Sequence, residues 1–157
     1  MVVDKLSIKD REVITPLEYI RDFAPNFNPS EFKRPEKLRI EGIEALQTTR
    51  TLTGLIMLIN SDFRDTGRHS SGMAFDVTFR DSVTKRTLTA LEAFLEVEKL
   101  GIWKAIGLYP QHSVPGQSLH LDIYKPGRWL AYYKDRENRS GQSYVALNEA
   151  NIRRYCL

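Results

Sequence analysis

Two histidines and one aspartate are the side chains of this chain best suited to chemistry. His69 and Asp76 lie in the segment 67–76, which reads Gly-Arg-His-Ser-Ser-Gly-Met-Ala-Phe-Asp, and His120 lies in Leu-His-Leu-Asp-Ile at 119–123. Two imidazoles and a carboxylate that leave a fourth position open are a usual ligand set of catalytic zinc, which lowers the pKa of bound water to about 7. The pattern therefore predicts a Zn²⁺ site with these three ligands.

Each of the three residues also has an ordinary structural interpretation. His69 could be a loop histidine, Asp76 a capping or surface acid, and His120 a hydrogen-bonded core residue. The chain contains only three histidines, and two of them stand near acids in apolar strand contexts. This favours the metal site, although the spacing alone leaves the structural alternative open.

The strands that must position these residues are indicated by hydrophobic periodicity. Alternation of apolar and polar residues over 73–79 predicts a strand that carries Asp76 on the face with small or polar neighbours. A continuous apolar run just before the motif predicts a central strand. We predict strands at 55–60, 73–79, 102–109 and 119–124, with a further short strand or helix at 128–133.

Helices are predicted from capping signals around these strands. Thr15 to Glu18 reads as a capping box with proline at the first helical position, which predicts a helix to about residue 23. Long helices are predicted at 35–52, ended by Gly54, and from residue 81 or 82 to about 100. We expect a brief helical turn at residue 29, a mobile polar loop at 135–142, and a tail from residue 144 that packs back. This order predicts an α+β fold, a mainly antiparallel sheet with helices packed on one face.

Composition places the chain among single-domain globular proteins. It has 157 residues, of which 41% are hydrophobic and 27% charged. The single cysteine excludes an internal disulfide. The net charge of +3 is scattered without a basic run, so nucleic acid is not an expected partner. The longest apolar run is too short to span a bilayer, and residues 1–5 lack the pattern of a signal peptide, so we expect a protein made in the cytoplasm and not inserted in a membrane. We also expect a monomer.

Three motifs resemble one protein family. They are Ser61-Asp62-Phe63-Arg64, the segment from His69 to Asp76, and His120-Leu121-Asp122. They resemble the zinc D-alanyl-D-alanine carboxypeptidase and L-alanyl-D-glutamate endopeptidase family, murein peptidases that include phage endolysins. That family carries a serine-to-arginine turn, a His-x-x-Gly-x-Ala-x-Asp segment and a later His, often in His-x-Asp. The resemblance also includes the segments 27–32 and 128–129 and spans residues 25–130.

The resemblance implies a fold, an activity and several roles. The fold would be hedgehog/D-Ala-D-Ala peptidase-like, a single domain over 1–157 with its core at 25–130 and its zinc site on the sheet; 131–157 would be an extension packing back. Arg64 would bind the substrate carbonyl or carboxylate, unless it forms only a structural salt bridge. Asp122 would orient a ligand imidazole. The substrate would be a peptidoglycan stem peptide, reached after release from the cell or from within a virion.

One position departs from the family pattern. The general base is usually an acid three residues before the last histidine, where this chain has Gln117. An amide cannot accept a proton from water at working pH. Either another group such as His112 or Asp122 serves as base, or zinc and Arg64 alone support hydrolysis, or the protein is a non-catalytic zinc-binding homologue. Such a homologue would bind cell-wall peptide or serve as a phage structural protein.

Overall fold

The computed structural model describes residues 14–157, so the segment 1–5, where no signal peptide is expected, lies outside the described residues. Within that range, six strands form one mixed sheet in the order β1-β2-β4-β3-β5-β6. Neighbouring strands are antiparallel except β3 and β5, which are parallel. The strands are β1 (Ile56–Ser61), β2 (Ala74–Arg80), β3 (Ala105–Tyr109), β4 (Ser118–Asp122), β5 (Gly127–Asp135) and β6 (Ser140–Ala146).

Four α-helices accompany the sheet in the described part of the chain, which confirms an α+β architecture. Three short 3₁₀ turns lie between these elements, at Pro29–Glu31, Pro35–Lys37 and Gly67–Ser71. None of the helices in residues 14–157 combines the length and apolarity needed to cross a lipid bilayer. The helices are α1 (Pro16–Phe23), α2 (Ile40–Thr53), α3 (Ala90–Glu98) and α4 (Glu149–Tyr155).

The hydrophobic core lies on one face of the sheet. Side chains alternate along each strand, so Phe75 and Val77 of β2 are buried against the helices while Asp76 between them faces the other way. The same alternation in β4 buries Leu119 and Leu121. The helices contribute Ile20, Ile43, Leu46, Ala93 and Val97 to this cluster, and Tyr155 of α4 packs against it. The opposite face of the sheet is therefore left for polar side chains.

The predicted caps of the first two helices are present. Thr15 and Glu18 form the capping box of α1, and Gly54 ends α2 in the left-handed conformation with φ +67°. The prediction that α2 begins at residue 35 is wrong, because Pro35–Lys37 forms a separate 3₁₀ turn. Leu38 then takes an extended conformation, and the Arg39 N–H donates to the oxygen of Gly72.

The long helix predicted from residue 81 or 82 is also wrong, because α3 begins at Ala90. Asp81 instead accepts hydrogen bonds from the N–H groups of Val83 and Thr84 and closes a turn. Lys85 in that turn has a positive φ of 61°, which a helix cannot accommodate. The helix starts one capping box later, where Thr89 is paired with Glu92.

The segment 135–142 is a β-hairpin and not the predicted loop. Asp135 pairs with Ser140 at its end, and the left-handed Gly141 follows the turn. The segment 131–157, expected to pack back as an extension, supplies most of β5 together with β6 and α4. Tyr132 of β5 stacks on Tyr155 of α4, with ring centroids 4.7 Å apart, and this contact fastens the chain end to the core side of the sheet.

Candidate metal centre

One row of residues crosses the sheet on the face opposite the helices. The strand register places Asp76 of β2 directly beside His120 of β4, and His120 beside Gly107 of β3. Two of the three predicted ligands are therefore neighbours in the middle of the sheet. The complete row, from β1 to β6, is Ser61, Asp76, His120, Gly107, Trp129 and Ala146.

The third predicted ligand, His69, reaches the same point from the 3₁₀ turn Gly67–Ser71. Its Nε2 lies 3.3 Å from Oδ2 of Asp76, and Nδ1 of His120 lies 3.0 Å from Oδ1 of the same carboxylate. One ligand atom from each residue lies within 4.8 Å of the other two. A group of this kind could hold a metal ion.

The hydrogen bonding of His69 determines which ring nitrogen is available. Its Nδ1 lies 2.5 Å from the main-chain oxygen of Asp62. A carbonyl oxygen can only accept, so Nδ1 carries the hydrogen and Nε2 of the neutral ring presents a lone pair. The Nε2 atom is buried and has no hydrogen-bond partner among the described residues. Ligand histidines in metalloproteins are held by this kind of contact.

A lone pair of His69 and a carboxylate oxygen of Asp76 thus face each other at 3.3 Å. Burial alone would raise the pKa of Asp76, but its contacts, led by the hydrogen bond of His120, outweigh it and lower that pKa. Asp76 is therefore ionised, and two electron-rich atoms meet in a site where His69 is 2% exposed. Such an arrangement is stable only with a proton or a metal cation between the two atoms. The residues present fit a cation.

Asp62 connects the turn Gly67–Ser71, which carries His69 and is called the ligand turn below, to an earlier part of the chain. The residue is 1% exposed, and its Oδ2 accepts the N–H groups of Lys33 and Arg34 at 2.6 and 3.0 Å. Its own main-chain oxygen orients His69. The sequence showed Asp62 only as a member of the Ser61–Arg64 motif, since hydrogen bonds to residues 28 and 29 positions away leave no local pattern.

Gly72 joins the ligand turn to β2 in a conformation that favours glycine, with φ +72°. A Cβ atom here would lie 2.6 Å from the main-chain oxygen of Lys37. The Gly72 oxygen in turn accepts the N–H of Arg39 at 3.0 Å. The backbone of Gly72 thus approaches the backbone of Lys37 and Arg39 closely, and this contact holds the turn Gly67–Ser71 against the start of α2.

An open cleft of about 400 Å³ lies over the two imidazoles. Arg64 stands at its edge with more than half of its side chain exposed, and its Nη2 lies 3.4 Å from Oδ2 of Asp76. The structure thus brings Arg64 to the predicted ligands. The principal side chains around the cleft are those of Arg64, His69, Tyr109, His120, Trp129 and Tyr144.

Trp129 forms one wall of the cleft by lying flat on β3. A Cβ atom at Gly107 would approach its indole ring to 2.3 Å, so only glycine leaves room for it. The ring centroid lies 5.2 Å from that of His120. The guanidinium of Arg68 lies 5.0 Å from the Trp129 ring, which is cation–π distance. His120 is thereby enclosed by packing as well as by its bond to Asp76.

Asp122 does not contact a ligand imidazole. Its Oδ2 pairs with Nη1 of Arg68 at 2.9 Å, and its Oδ1 accepts the N–H groups of Tyr124 and Lys125. The carboxylate is fully buried and its oxygens are engaged in these contacts. Asp122 therefore holds Arg68 and the turn after β4 in position. The prediction that it orients a ligand imidazole is wrong.

Gln117 and His112 are also placed away from the imidazoles. Oε1 of Gln117 accepts the N–H of Ala90 at 2.8 Å, at the start of α3 on the helical face of the sheet. Nδ1 of His112 lies 3.0 Å from Oγ of Ser118, and the His112 ring packs beside Tyr109. Burial lowers the pKa of His112, so its ring is neutral at pH 7. Neither residue lines the cleft.

Two tyrosines also line the cleft, although neither was assigned a catalytic or metal-binding role from the sequence. Tyr109 ends β3 and Tyr144 lies in β6, and both line the cleft with the imidazoles. Tyr144 belongs to the hairpin that replaced the predicted loop. The position of Tyr109 at the end of a strand with His120 on the neighbouring strand could have indicated its place, had the register been known.

No protein-family model, curated protein or solved structure matches the chain. The family resemblance carried by the three motifs stays a prediction. The structure shows a mixed α+β fold and a His69, Asp76 and His120 group that could hold a metal ion beneath an open cleft.

Proposed function

We propose that this protein is a zinc-dependent peptidase that hydrolyses amide bonds in peptidoglycan stem peptides, in the manner of an endolysin. The observation that carries the proposal is the unpaired, buried Nε2 of His69 facing the ionised carboxylate of Asp76 at the floor of an open cleft. A catalytic metal ion needs protein ligands on one side and an open coordination position that water and substrate can reach on the other.

The donor set supports zinc as the ion. Two imidazole nitrogens and one carboxylate oxygen suit Zn²⁺, whereas Ca²⁺ and Mg²⁺ prefer all-oxygen sites. Bound zinc supplies a Lewis acid and an activated water. Asp62 supports this assignment because it fixes the His69 tautomer with the lone pair on Nε2, the form that a metal requires.

Arg64 is suited to bind the substrate. It has a single contact with Asp76 at 3.4 Å and is largely exposed. An exposed ion pair of this kind contributes little to stability. The guanidinium can therefore turn into the cleft, where its two parallel N–H groups would bind a carbonyl oxygen or a carboxylate. Negative charge that develops on the attacked carbonyl would be stabilised there.

The choice of peptidoglycan as substrate rests on the motif resemblance. The segment from His69 to Asp76 and the later His120 match that family's zinc-ligand pattern letter for letter. The hedgehog/D-Ala-D-Ala peptidase-like fold is part of the same proposal. A mixed sheet with two ligands on adjacent central strands, and a third from the loop before one of them, is compatible with it.

Purified, zinc-loaded protein incubated with peptidoglycan sacculi tests the proposal. Each hydrolysed amide bond releases one amino group, so free amino groups should increase with time. The increase should be abolished in His120→Ala and reduced in Arg64→Ala by roughly 100-fold or more. A wild-type protein that binds zinc but releases no amino groups from sacculi or from free stem peptides would refute the peptidase.

A second candidate is a non-catalytic zinc-binding homologue that binds wall peptide or serves in a phage particle. Gln117 favours it, since the amide caps α3 and stays away from the imidazoles. In the described part of the chain, the residues that line the cleft include no carboxylate besides that of Asp76 beneath them. Zinc-dependent sedimentation of the protein with sacculi, without release of amino groups, would distinguish this candidate from the peptidase.

A further inference from the structure

We infer that Tyr109 is a catalytic residue of this cleft, whose phenolic O–H donates a hydrogen bond to the carbonyl oxygen of the substrate as that oxygen gains negative charge. The inference rests on the proposed peptidase function and extends it. The hydrogen stays on Tyr109 throughout. Hydrolysis adds one water across the amide bond to give a carboxylate and a protonated amine, which receives both hydrogens of the water, and Tyr109 contributes only a hydrogen bond.

The sheet register places Tyr109 next to the metal row. It pairs with Ser118, which lies two residues before His120 on the same face of β4. Its side chain therefore projects over the same face as the ligand imidazoles, and it lines the cleft with His69 and His120. Arg64 stands at the edge of the same cleft. A substrate carbonyl bound in the cleft would thus lie near two hydrogen-bond donors, Tyr109 and Arg64.

The protonation of Tyr109 suits a donor and excludes a base. Burial raises the pKa of Tyr109, and the negative charge of Asp76 raises it further. The indole N–H of Trp129 lowers this pKa, but by less than burial raises it. The phenol therefore keeps its hydrogen at any working pH, and its role cannot be that of the missing general base.

Trp129 and Tyr144 line the same cleft as Tyr109. The Nε1 of Trp129 is buried and has no hydrogen-bond partner within residues 14–157. The acceptors that the cleft offers to the phenol hydrogen of Tyr109 are the hydroxyl of Tyr144 and an oxygen of a bound ligand. A substrate oxygen carrying negative charge is the stronger acceptor of the two.

The magnitude expected of such a donor is known from hydrolases that stabilise an oxyanion. Loss of one donor typically lowers kcat by roughly 100- to 1,000-fold. Tyr109→Phe removes the hydroxyl and keeps the ring, whose centroid lies 4.8 Å from that of the His112 ring in the wild-type structure. Tyr133→Phe is the matched control, since Tyr133 also packs beside His112 but lies outside the cleft.

The test compares wild type, Tyr109→Phe and Tyr133→Phe, each loaded with zinc, on a synthetic stem peptide. We expect Tyr109→Phe to lower kcat by roughly 100-fold with KM and zinc content unchanged. Tyr133→Phe should leave both constants as in wild type. Cleavage by Tyr109→Phe at the wild-type kcat would overturn the inference and leave the peptidase intact. A fall in zinc content or a rise in KM that accounts for the whole effect would also overturn it, because it would show a structural role.

A second measurement does not depend on turnover. A phosphinate analogue of a dipeptide carries a tetrahedral anion like the charged oxygen of the reaction, and its binding to the three zinc-loaded proteins can be measured by calorimetry. We expect Tyr109→Phe to bind it at least 10-fold more weakly than Tyr133→Phe does, as the loss of a charge-assisted hydrogen bond requires. If wild type cleaves no peptide but this difference is present, the peptidase fails while the donor role of Tyr109 stands. Equal affinities would overturn the donor role.

Discussion

The main-chain oxygen of Asp62 accepts a hydrogen bond from Nδ1 of His69 at 2.5 Å, while the Asp62 carboxylate accepts the N–H groups of Lys33 and Arg34. One residue thus fixes the tautomer of a candidate metal ligand and holds the chain that precedes α2. Asp62 therefore links the candidate metal centre to the chain at Lys33 and Arg34.

Asp62→Ala should lower both stability and metal affinity. It leaves two partly buried N–H groups without their acceptor, which should lower the free energy of unfolding by about 2–3 kcal/mol. Disturbing the support of a ligand imidazole should weaken zinc binding by roughly 10- to 100-fold. Urea denaturation and zinc titration measure the two effects. Asp65→Ala is the control, because the Asp65 side chain is 80% exposed and its loss should cost at most about 0.5 kcal/mol.

Removal of a ligand histidine should abolish stoichiometric zinc binding. The chain has three histidines, and the structure places His69 and His120 at the candidate site and His112 outside it. After dialysis against zinc-containing and then zinc-free buffer, atomic emission should find one zinc per wild-type chain and per His112→Ala chain. His69→Ala and His120→Ala should retain far less. Equal zinc in all four proteins would show that the ion binds elsewhere.

Gly72→Ala should be more destabilising than Gly54→Ala. Both glycines have a left-handed backbone, with φ of +72° and +67°, so each alanine incurs a backbone cost of about 1–2 kcal/mol. Only at Gly72 would the new Cβ also meet a backbone oxygen, that of Lys37 at 2.6 Å, whereas nothing lies within 4 Å at Gly54. Overpacking adds about 1–3 kcal/mol. Thermal unfolding of the two variants isolates this difference, and equal losses would contradict the close contact.

His112 should make stability fall as the pH falls from neutrality. Burial lowers its pKa in the folded protein below the ordinary value of 6.5; Arg139 lowers it too, while Asp76 acts in the opposite sense. The unfolded chain then binds a proton at a higher pH than the folded chain, so stability contributed by the neutral ring is present above pH 6.5 and declines as the pH falls towards the folded pKa. His112→Gln should reduce the loss of stability between pH 7.5 and 5 in chelator-treated protein. An identical pH dependence in both proteins would exclude the effect.

Gln117→Glu should not create a general base. The side chain at this position reaches the N–H of Ala90 at the start of α3, and a carboxylate there interacts favourably with a helix N-terminus. We expect the free energy of unfolding to rise by about 0.3–1 kcal/mol, with unchanged release of amino groups from sacculi. Gln117→Leu, which lacks the acceptor, should instead be destabilised. A gain of hydrolytic activity in Gln117→Glu would show that this side chain turns into the cleft.

Local signals in the sequence were sufficient for much of the fold. Thr15 with Glu18 and the glycine at 54 mark helix ends through short-range hydrogen bonds and backbone conformation, and alternation located the strand that carries Asp76. The strand pair formed by β5 and β6 was missed because β6 is an edge strand with mostly exposed residues on both faces. Such a strand has no alternation of apolar and polar residues to detect.

In the candidate site, too, some features could be predicted from local sequence signals and others could not. The three candidate ligands could be recognised because they stand in compact motifs. The partners of Gln117 and Asp122 could not, since the first is the N–H of Ala90 and the second is Arg68, 54 positions away along the chain. These contacts arise from how strands and helices meet, and neither residue type nor spacing indicates them. The pairing of β3 with β4, which the sequence does not indicate, places Tyr109 on the sheet face that carries the candidate ligands.

The three candidate ligands stand on different kinds of backbone, and this difference bears on how fast an ion would bind and leave. Asp76 and His120 stand on hydrogen-bonded neighbours in the interior of the sheet, so their half of the site exists before an ion arrives. His69 stands on a five-residue turn and is the one ligand that can swing without separating strands. If the site binds an ion, we expect its residence time to depend on how often the turn Gly67–Ser71 breaks its contacts with Asp62 and with the backbone at Lys37 and Arg39.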